Sequence, residues 1–503
     1  MGAALGTAMG ALIRLWERIR LLIFGSEPES LLLIERGMPE ISLYKICLER
    51  VYDLVKAGTW KSCTVNPFLN LPNGIIDDLM APTDYDETKV SEVFQLLTSG
   101  SLTRLHLSGI KVQEEKRLFL EVIEKNCCKS LRFLSWYSSE RKNIPLIEAL
   151  VLSCPKLEEF RSKISLNFNV FRNCKELRVL KFYATLQMFC PQDLEVLSSL
   201  KNLQVFFSFD SSGDIIATIL KCCPQLISLG RSDSLNGLEM IHAQAVSQCD
   251  IDDIEIPDRF HLKRCLWGTR TKYMGVGDAS YKSSFPEKIR IAVSLCPFVE
   301  ELIIYVCHTD SFESLKNLKH LTHLEIIFSE CDGDYMTSFF EFLKIIGRKL
   351  KHLSIDDTHP VPVDIICDFC PQLQSLDLRR FATVSGPVQH NSNILLKRLR
   401  IMYIDQNALL YLLSSCKGLV ELSLFYALCL DDSLLSKILK QNPLAELKIS
   451  HITESSLTRR GFRMFLEKAV SLERVNFSSL RRDVDYIVEN LIRELNLTNL
   501  TYG

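Results

Sequence analysis

The chain of 503 residues has almost no surplus of charge, because 59 Lys and Arg are balanced by 61 Asp and Glu. Proteins that bind nucleic acid usually present excess Lys and Arg side chains to the phosphate backbone. Nucleic acid is therefore not an expected partner. Uncharged apolar runs long enough to cross a bilayer are also missing, so no membrane-spanning helix is expected.

The first residues differ from a secretory signal, because the charges at Arg14, Glu17 and Arg20 follow an apolar run instead of preceding it. Between Leu12 and Phe24 the apolar residues share one helix face. We interpret residues 1–36 as a helix docked on the neighbouring domain and a linker, and we do not expect membrane association. The prediction is an intracellular protein, cytoplasmic or nuclear, with its 18 cysteines reduced.

Sequence patterns of catalytic and cofactor sites are absent as well. The chain contains no G-x-S-x-G, H-E-x-x-H or G-x-x-x-x-G-K-[ST]. No C-x-x-C pair is joined by a second pair or by His ligands, as a zinc site requires. Gly275, Gly277 and Asp278 lack the third glycine of a dinucleotide fingerprint and are interpreted as a loop. We predict no enzyme activity, no metal and no cofactor.

One pattern does recur, namely L-x-x-L-x-L with other apolar residues allowed at each Leu. Examples are "SLTRLHL", "HLTHLEI", "QLQSLDL" and "GLVELSL", and successive copies lie roughly 20 to 29 residues apart. Each copy predicts a short strand followed by a helical return. A single repeat cannot bury its apolar face, whereas stacked repeats can. Residues 95–503 therefore predict an α/β leucine-rich-repeat solenoid, a horseshoe with parallel inner strands and outer helices.

A cysteine, often followed by proline, precedes many of the predicted strands, as in Cys154-Pro155, Cys223-Pro224 and Cys370-Pro371. Cysteine is small and readily buried, so it suits the tight turn from helix to strand. The repeat spacing with its "CPKL" and "CPQL" turns resembles the cysteine-containing leucine-rich repeats of ubiquitin-ligase substrate receptors. The pattern weakens at residues 257–297, which we interpret as a loop insertion that interrupts the array.

Before the array, "SLYKICLERVYDLV" at residues 42–55 predicts a helix with an unusually wide apolar face. Leu43, Cys47, Val51 and Leu54 form one ridge, with a second apolar ridge beside it. Such a stripe is wider than the roughly 100° that a surface helix needs to cover one core. We therefore expect this helix to be covered from two sides, one of which could be a partner protein.

A second short helix is predicted after the wide one, opened at its first turn by Pro72. The order helix, linker, Leu-Pro, helix resembles the box with which substrate receptors bind elongin B and C and then a cullin. Residues 37–82 would form this helical adaptor-docking segment. The resemblance implies that the elongin-binding half of the box consists of Ser42, Leu43, Cys47 and Val51. It implies that the cullin-binding half consists of Leu71, Pro72 and Ile75.

Two alternatives remain open for this segment. It could simply cap the solenoid, because terminal repeats need apolar cover. It could also be an F-box-like module that binds a Skp-type adaptor, although residues 81–101 are short and polar for the remainder of such a module.

Residues that flank the buried Leu of each strand are expected on the concave face of the array. Aromatic side chains mixed with both signs of charge suit a protein partner. The predicted substrate-binding residues are Arg104, His106, Tyr137, Arg161, Tyr183, Tyr305, His323, His352, Asp377, Arg379, Tyr403 and Phe425. The sequence thus predicts a substrate-recognition subunit of a cullin-RING ubiquitin ligase, with a scaffold that has no ligase connection as the alternative.

Overall fold

The computed structural model describes residues 43–69, 71–81, 88–107, 115–137, 141–186, 188–209, 211–248, 259–268, 279–328, 335–356, 359–386, 394–478, 484–497 and 499–502. The chain divides into two compact units, Met1–Cys127 and Cys128–Gly503. All of residues 1–42 lie outside the described residues, including the predicted N-terminal helix and linker at 1–36 and Ser42 of the predicted box.

The first unit is mainly helical. Its described elements are α1 (Leu43–Lys56), α2 (Asn73–Met80), α3 (Phe94–Leu97), β1 (Arg104–His106) and α4 (Lys116–Asn126). The core gathers residues from each of these elements, with Ile76, Leu97, Leu105 and Phe119 completely buried. Pro72 is extended, with φ −55° and ψ 145°, and precedes the first helical residue of α2 instead of lying in its first turn.

The second unit contains the remaining strands of the array. They are β2 (Phe133–Trp136), β3 (Glu159–Ser162), β4 (Val179–Phe182), β5 (Val205–Ser208), β6 (Ser228–Asp233), β7 (Arg264–Trp267), β8 (Glu301–Val306), β9 (His323–Phe328), β10 (His352–Asp356), β11 (Val361–Pro362), β12 (Ser375–Thr383), β13 (Arg398–Ile404), β14 (Glu421–Leu424), β15 (Ile449–Thr453), β16 (Arg474–Ser478) and β17 (Thr501–Tyr502).

Helices alternate with these strands. They are α5 (Ile144–Leu152), α6 (Pro191–Ser199), α7 (Gly213–Cys222), α8 (Leu235–Gln248), α9 (Ala279–Leu295), α10 (Ser311–Leu315), α11 (Tyr335–Ile346), α12 (Val363–Phe369), α13 (Gln406–Ser415), α14 (Asp432–Gln441), α15 (Arg459–Lys468) and α16 (Val484–Glu494). Short 3-10 helices occur at Arg141–Asn143, Phe168–Asn173 and Gly347–Lys349.

All strand pairs of this unit are parallel, and the order of the strands in the sheet follows their order in the chain. The short β11 is the exception. It pairs only with β12, and β10 also pairs directly with β12. The central Leu of the repeat pattern keeps its register from strand to strand. The aligned and buried residues are Leu302, Leu324, Leu353, Leu376, Leu399 and Leu422. This line of side chains is the continuous core that a single repeat cannot form. The second unit is a leucine-rich-repeat solenoid, which confirms the predicted fold class.

The repeated cysteines lie buried where a helix turns into the next strand. The Cys174 thiol lies 3.5 Å from the Cys154 carbonyl oxygen and 3.7 Å from that of Val151, and the Cys223 thiol lies 3.4 Å from the Leu197 carbonyl oxygen. Burial raises the pKa of Cys174 and Cys223 to about 12. These thiols therefore join consecutive repeats as neutral, weakly hydrogen-bonding core groups.

The interpretation of residues 257–297 as a loop insertion is wrong for the described part of that segment. Residues Arg264–Trp267 form β7, which pairs in parallel with both β6 and β8, and Ala279–Leu295 form α9. The array therefore continues here without the recurring leucines. Cys265 and Trp267 occupy the buried alternate positions that Leu fills in other copies, and this replacement hid the repeat from the pattern.

Candidate functional site

Helix α1 buries only part of its apolar face. Tyr52 and Val55 are 4% and 3% exposed, so they belong to the core of the first unit. On the neighbouring ridge Cys47 is exposed, while Val51 and Leu54 are half-buried. The wide apolar face of α1 is therefore covered at Tyr52 and Val55 and left accessible along the ridge that contains Cys47, Val51 and Leu54.

The residues of the predicted adaptor-docking box differ in exposure. Cys47 and Pro72 are exposed, and Val51, Leu71 and Ile75 are half-buried. Leu43 is the first residue of α1, but its side chain is not among the described ones. Five of the seven box positions thus carry surface that a partner could contact, and their role stays a prediction.

Two polar contacts fix how α1 is held in the first unit. The Tyr44 hydroxyl donates to the Asp78 carboxylate of α2 at 2.7 Å, and this hydrogen bond raises the pKa of Tyr44. The buried Tyr52 hydroxyl lies 3.1 Å from that of Thr88. Since Tyr44 and Tyr52 anchor α1, the ridge that contains Cys47, Val51 and Leu54 is held in a defined orientation. The sequence placed Tyr44 and Tyr52 on the second apolar ridge of this helix but did not indicate these hydrogen bonds.

Strand β1 is tied to α2 by Asp77, whose carboxylate accepts the backbone N–H groups of Thr103 and Arg104, both at 2.9 Å. Of the two substrate-binding residues predicted on this strand, Arg104 is exposed and His106 is half-buried. They belong to the first unit, whereas the other ten predicted residues belong to the second.

In the second unit, the residues that alternate with the buried strand positions form what we call the polar strand face. The ten predicted residues of this unit all lie on it, and most are half-buried instead of fully exposed. Neighbouring strands are only about 4.8 Å apart, so long side chains on one strand cover those on the next. The face is a layer of contacting side chains.

At the middle of this face, His323 and His352 occupy paired positions on β9 and β10, with ring centroids 6.0 Å apart. Burial, together with the charge of the neighbouring His323, lowers the pKa of His352 to about 4, so that the ring is neutral near pH 7. The adjacent Arg379 is ion-paired with Glu325 at 2.7 Å and lies 3.6 Å from Asp377. The sequence did not indicate this pairing, because Glu325 and Arg379 lie on different repeats.

Three polar atoms of this region are buried with no hydrogen-bond partner among the described residues: His352 Nδ1, Ser354 Oγ and Asp377 Oδ1. Ser354 and Asp377 are direct neighbours on β10 and β12. Burial raises the pKa of Asp377, which Arg400 and Arg379 oppose. This part of the face offers hydrogen-bonding capacity that the surrounding side chains leave unused.

Farther along the array, aromatic rings dominate the same face. Tyr403 stacks on Tyr426, with centroids 4.9 Å apart and the planes 14° from parallel. Phe425 lies between Arg400, at 5.3 Å, and His451, at 5.1 Å. Tyr426 was not predicted because it lies beyond the end of the strand. Its φ of 55° cannot be predicted from the alternation of side chains along the strand.

Near the beginning of the second unit, Tyr137 and Tyr183 contact each other, with ring centroids 5.7 Å apart. Arg161 is ion-paired with Glu159 at 2.6 Å. Lys163 and Phe209 lie on the same face, directly after the last residues of β3 and β5, but were not predicted. Continued alternation past the predicted strand ends was the signal that could have found them. Tyr305, on β8, is half-buried.

The described residues contain no group of three or more His, Cys, Asp and Glu side chains placed to hold a metal ion. Within the same part of the chain, no helix is both long and apolar enough to cross a membrane. What these surfaces offer is exposed apolar area, paired charges and hydrogen-bonding groups, which are the means by which proteins bind other proteins.

No protein-family model matches the chain, and no curated protein matches it in sequence. Among solved structures, the complex of Rad7 and Elc1 in yeast is similar at 14% identity with a TM-score of 0.39, over 87% of this chain and 96% of that one. The Toll–Spatzle complex of Drosophila is similar at 10% identity with a TM-score of 0.28, over 75% of this chain and 44% of that one. The leucine-rich-repeat assignment rests on the strand order and register described above.

Proposed function

We propose that the chain is a substrate-recognition subunit of a cullin-RING ubiquitin ligase. The first unit would bind an elongin B and C adaptor through α1 and a cullin through the segment that contains Leu71, Pro72 and Ile75. The polar strand face of the second unit would bind the protein substrate. In this role the chain positions a substrate and performs no chemistry of its own, and it would act in the cytoplasm or the nucleus.

The observation that carries the proposal is the incomplete burial of the apolar face of α1. A helix that only covers its own solenoid would bury this face throughout, because burial of apolar area in the core is favourable and its exposure to water is not. Instead only Tyr52 and Val55 are in the core, while Tyr44 and Cys47 are exposed and Val51 is half-buried. A small side chain at position 47 lets a partner helix approach closely, in the manner of helix-in-groove recognition.

Co-expression with elongin B and C tests this assignment. The intact chain is expected to co-purify with both proteins, whereas Cys47→Asp and Val51→Asp are expected to lose them, because each places a charge in the apolar contact. Thr59→Asp is the matched control, since it adds the same charge at an exposed position beyond the end of α1. Failure of the intact chain to bring down the elongins, or equal recovery with all variants, would remove the ligase assignment.

A second candidate is a scaffold that binds proteins without any ligase. It is favoured by the extent of the polar strand face, which carries aromatic and charged contacts from Tyr137 to His451 and needs no adaptor to bind a partner. Loss of the elongin interaction with retained binding on the strand face would select this candidate.

A further inference from the structure

The first strands of the second unit place four side chains in one row across the sheet. Trp136, Ser162, Phe182 and Ser208 are paired neighbours at the ends of β2 to β5, and all are buried. The residues that follow them continue the ladder, since the N–H groups of Lys163, Tyr183 and Phe209 donate to the carbonyl groups of the preceding strands at 2.7 to 3.0 Å. The terminal row therefore consists of Tyr137, Lys163, Tyr183 and Phe209 on the polar strand face.

This row combines exposed aromatic area with one accessible cation. Phe209 is 59% exposed, which is high for a phenylalanine in an ordered ladder. Lys163 is exposed and lies 5.9 Å from the centre of the Tyr137 ring. Tyr183 contacts both Tyr137, at 5.7 Å, and Phe207, at 5.4 Å. Tyr137, Tyr183 and Phe207 brace one another, so little conformational entropy of these rings is lost when a partner covers them.

The charge of the surrounding positions has one sign. The row immediately below, on the same face, holds Ser135, Arg161, Lys181 and Phe207, so the eight positions carry three cations and no carboxylate. Glu159 offsets Arg161 through its ion pair at 2.6 Å. Lys163 therefore places an accessible positive charge beside the aromatic rings, in a chain whose overall net charge is −2. This charge is complementary to carboxylates.

We propose that this row binds an acidic, extended segment of the protein substrate, in which carboxylates flank an apolar side chain. This inference rests on the proposed role of the strand face in substrate recognition and names the class of segment it recognises. Lys163 would pair with a carboxylate, and Phe209 and Tyr183 would cover the apolar side chain. Four strands about 4.8 Å apart give a row about 14 Å long, which matches about four residues of extended chain at about 3.3 Å each.

A nucleic-acid strand fits the row less well. Binding to a phosphate backbone depends on several cations that each neutralise a phosphate. Within the terminal row only Lys163 is a cation, and in the row below Arg161 is already paired while Lys181 is buried. One accessible ammonium among rings suits a protein segment with few carboxylates.

The test is a selection of short peptides from a randomised display library on the full-length chain, followed by affinity measurements on the selected peptides. We expect enrichment of Asp and Glu next to Phe, Leu or Met. The selected peptides should bind Lys163→Glu and Phe209→Ala each about tenfold more weakly, which corresponds to about 1.4 kcal/mol. Lys163→Arg should retain binding. Lys156→Glu, at an exposed lysine before β3, is the matched control and should bind like the unaltered chain.

Several outcomes would overturn the proposal. They are failure to enrich any peptide, enrichment without an acidic excess, equal affinity for Lys163→Glu and Lys156→Glu, or stronger binding of a single-stranded oligothymidine than of the selected peptides. Thermal melting of each variant shows whether the fold is intact, and Lys163→Arg separates a charge effect from a folding defect. Elongin recovery is measured in parallel. Its failure with retained, Lys163-dependent peptide binding would remove only the ligase assignment.

Discussion

The guanidinium group of Arg379 on β12 donates to the carboxylate of Glu325 on β9 at 2.7 Å, across the intervening strand β10. Ser354, the residue of β10 that lies in register with Glu325, is 1% exposed although it belongs to the polar strand face. The ion pair therefore lies over a residue that would otherwise meet solvent. Three consecutive long strands of the array are joined by this one interaction.

Replacing Arg379 with Ala is expected to destabilise the second unit by about 2 kcal/mol, because the half-buried Glu325 and the buried Asp377 both lose a nearby cation. Arg380→Ala is the matched control. Its guanidinium lies 3.4 Å from Asp356 and is nearly half exposed, so its loss should cost about 0.5 kcal/mol. Urea unfolding of the two variants measures the difference, and equal losses would show that the Glu325 interaction adds nothing.

Acidification is expected to destabilise the protein through His352. Its pKa is lowered by burial from 6.5 to about 4, so the unfolded chain binds a proton in a range where the folded protein does not. Stability contributed by the neutral ring is complete above about pH 6.5 and is lost as the pH falls toward 4. From pH 7.5 to 5 this amounts to about 2 kcal/mol for one such group. Burial lowers the pKa of His323 as well, and its effect has the same sign.

Thermal melting from pH 7.5 to 5 checks this expectation with a substitution that cannot titrate. The His352→Gln variant should lose less stability on acidification than the unaltered chain. A pH profile unchanged by His352→Gln would contradict the assignment.

Two glycines are expected to respond to alanine in opposite directions. At Gly347 an added Cβ would lie 2.6 Å from the Phe369 carbonyl oxygen and 2.9 Å from the Cys370 thiol, so Gly347→Ala should destabilise by about 2 kcal/mol. At Gly74, within α2, a Cβ meets nothing within 4 Å, and Gly74→Ala should stabilise by about 0.5 kcal/mol. Denaturant midpoints measure both, and a neutral Gly347→Ala would show that α12 can shift to accept the methyl group.

Thiol labelling should distinguish the cysteine of the proposed docking ridge from those of the repeats. Cys47, Cys63 and Cys190 are exposed and should react rapidly with an aromatic disulfide reagent. Burial raises the pKa of Cys370 and Cys416 to about 12, so these thiols should react only on unfolding. Binding of elongin B and C should slow the labelling of Cys47 and leave Cys190 unchanged. Equal rates at Cys47 with and without the adaptor would place the contact elsewhere.

The solenoid could be predicted from the sequence because its periodicity is a direct consequence of burial. Leu324, Leu353 and Leu376 recur at the central strand position because that position always faces the core, whatever the rest of the repeat contains. Cys265 and Trp267 are buried at the same strand positions, but they are not the aliphatic residues that the repeat pattern requires. The sequence pattern failed at 264–267 for that reason.

The interaction surfaces could be predicted in outline only. Alternation along each strand identified the polar strand face, including Tyr137, Arg379 and Phe425, because the direction of a side chain in a strand is a local property. The partners of those side chains come from other repeats, such as Glu325 for Arg379. Pairs of this kind depend on strand register, which the spacing of the repeats does not specify.

The sequence by itself determined that residues after the N-terminal segment stack as leucine-rich repeats and that α1 carries more apolar surface than one core requires. Only the tertiary structure decided which residues of α1 are buried, because Tyr52 and Val55 enter the core, where Tyr52 contacts Thr88, a residue distant in the chain. It likewise placed Lys163 beside Tyr137 and Tyr183 beside Phe207. Local periodicity follows from burial of single side chains, whereas the composition of a surface follows from which strands become neighbours.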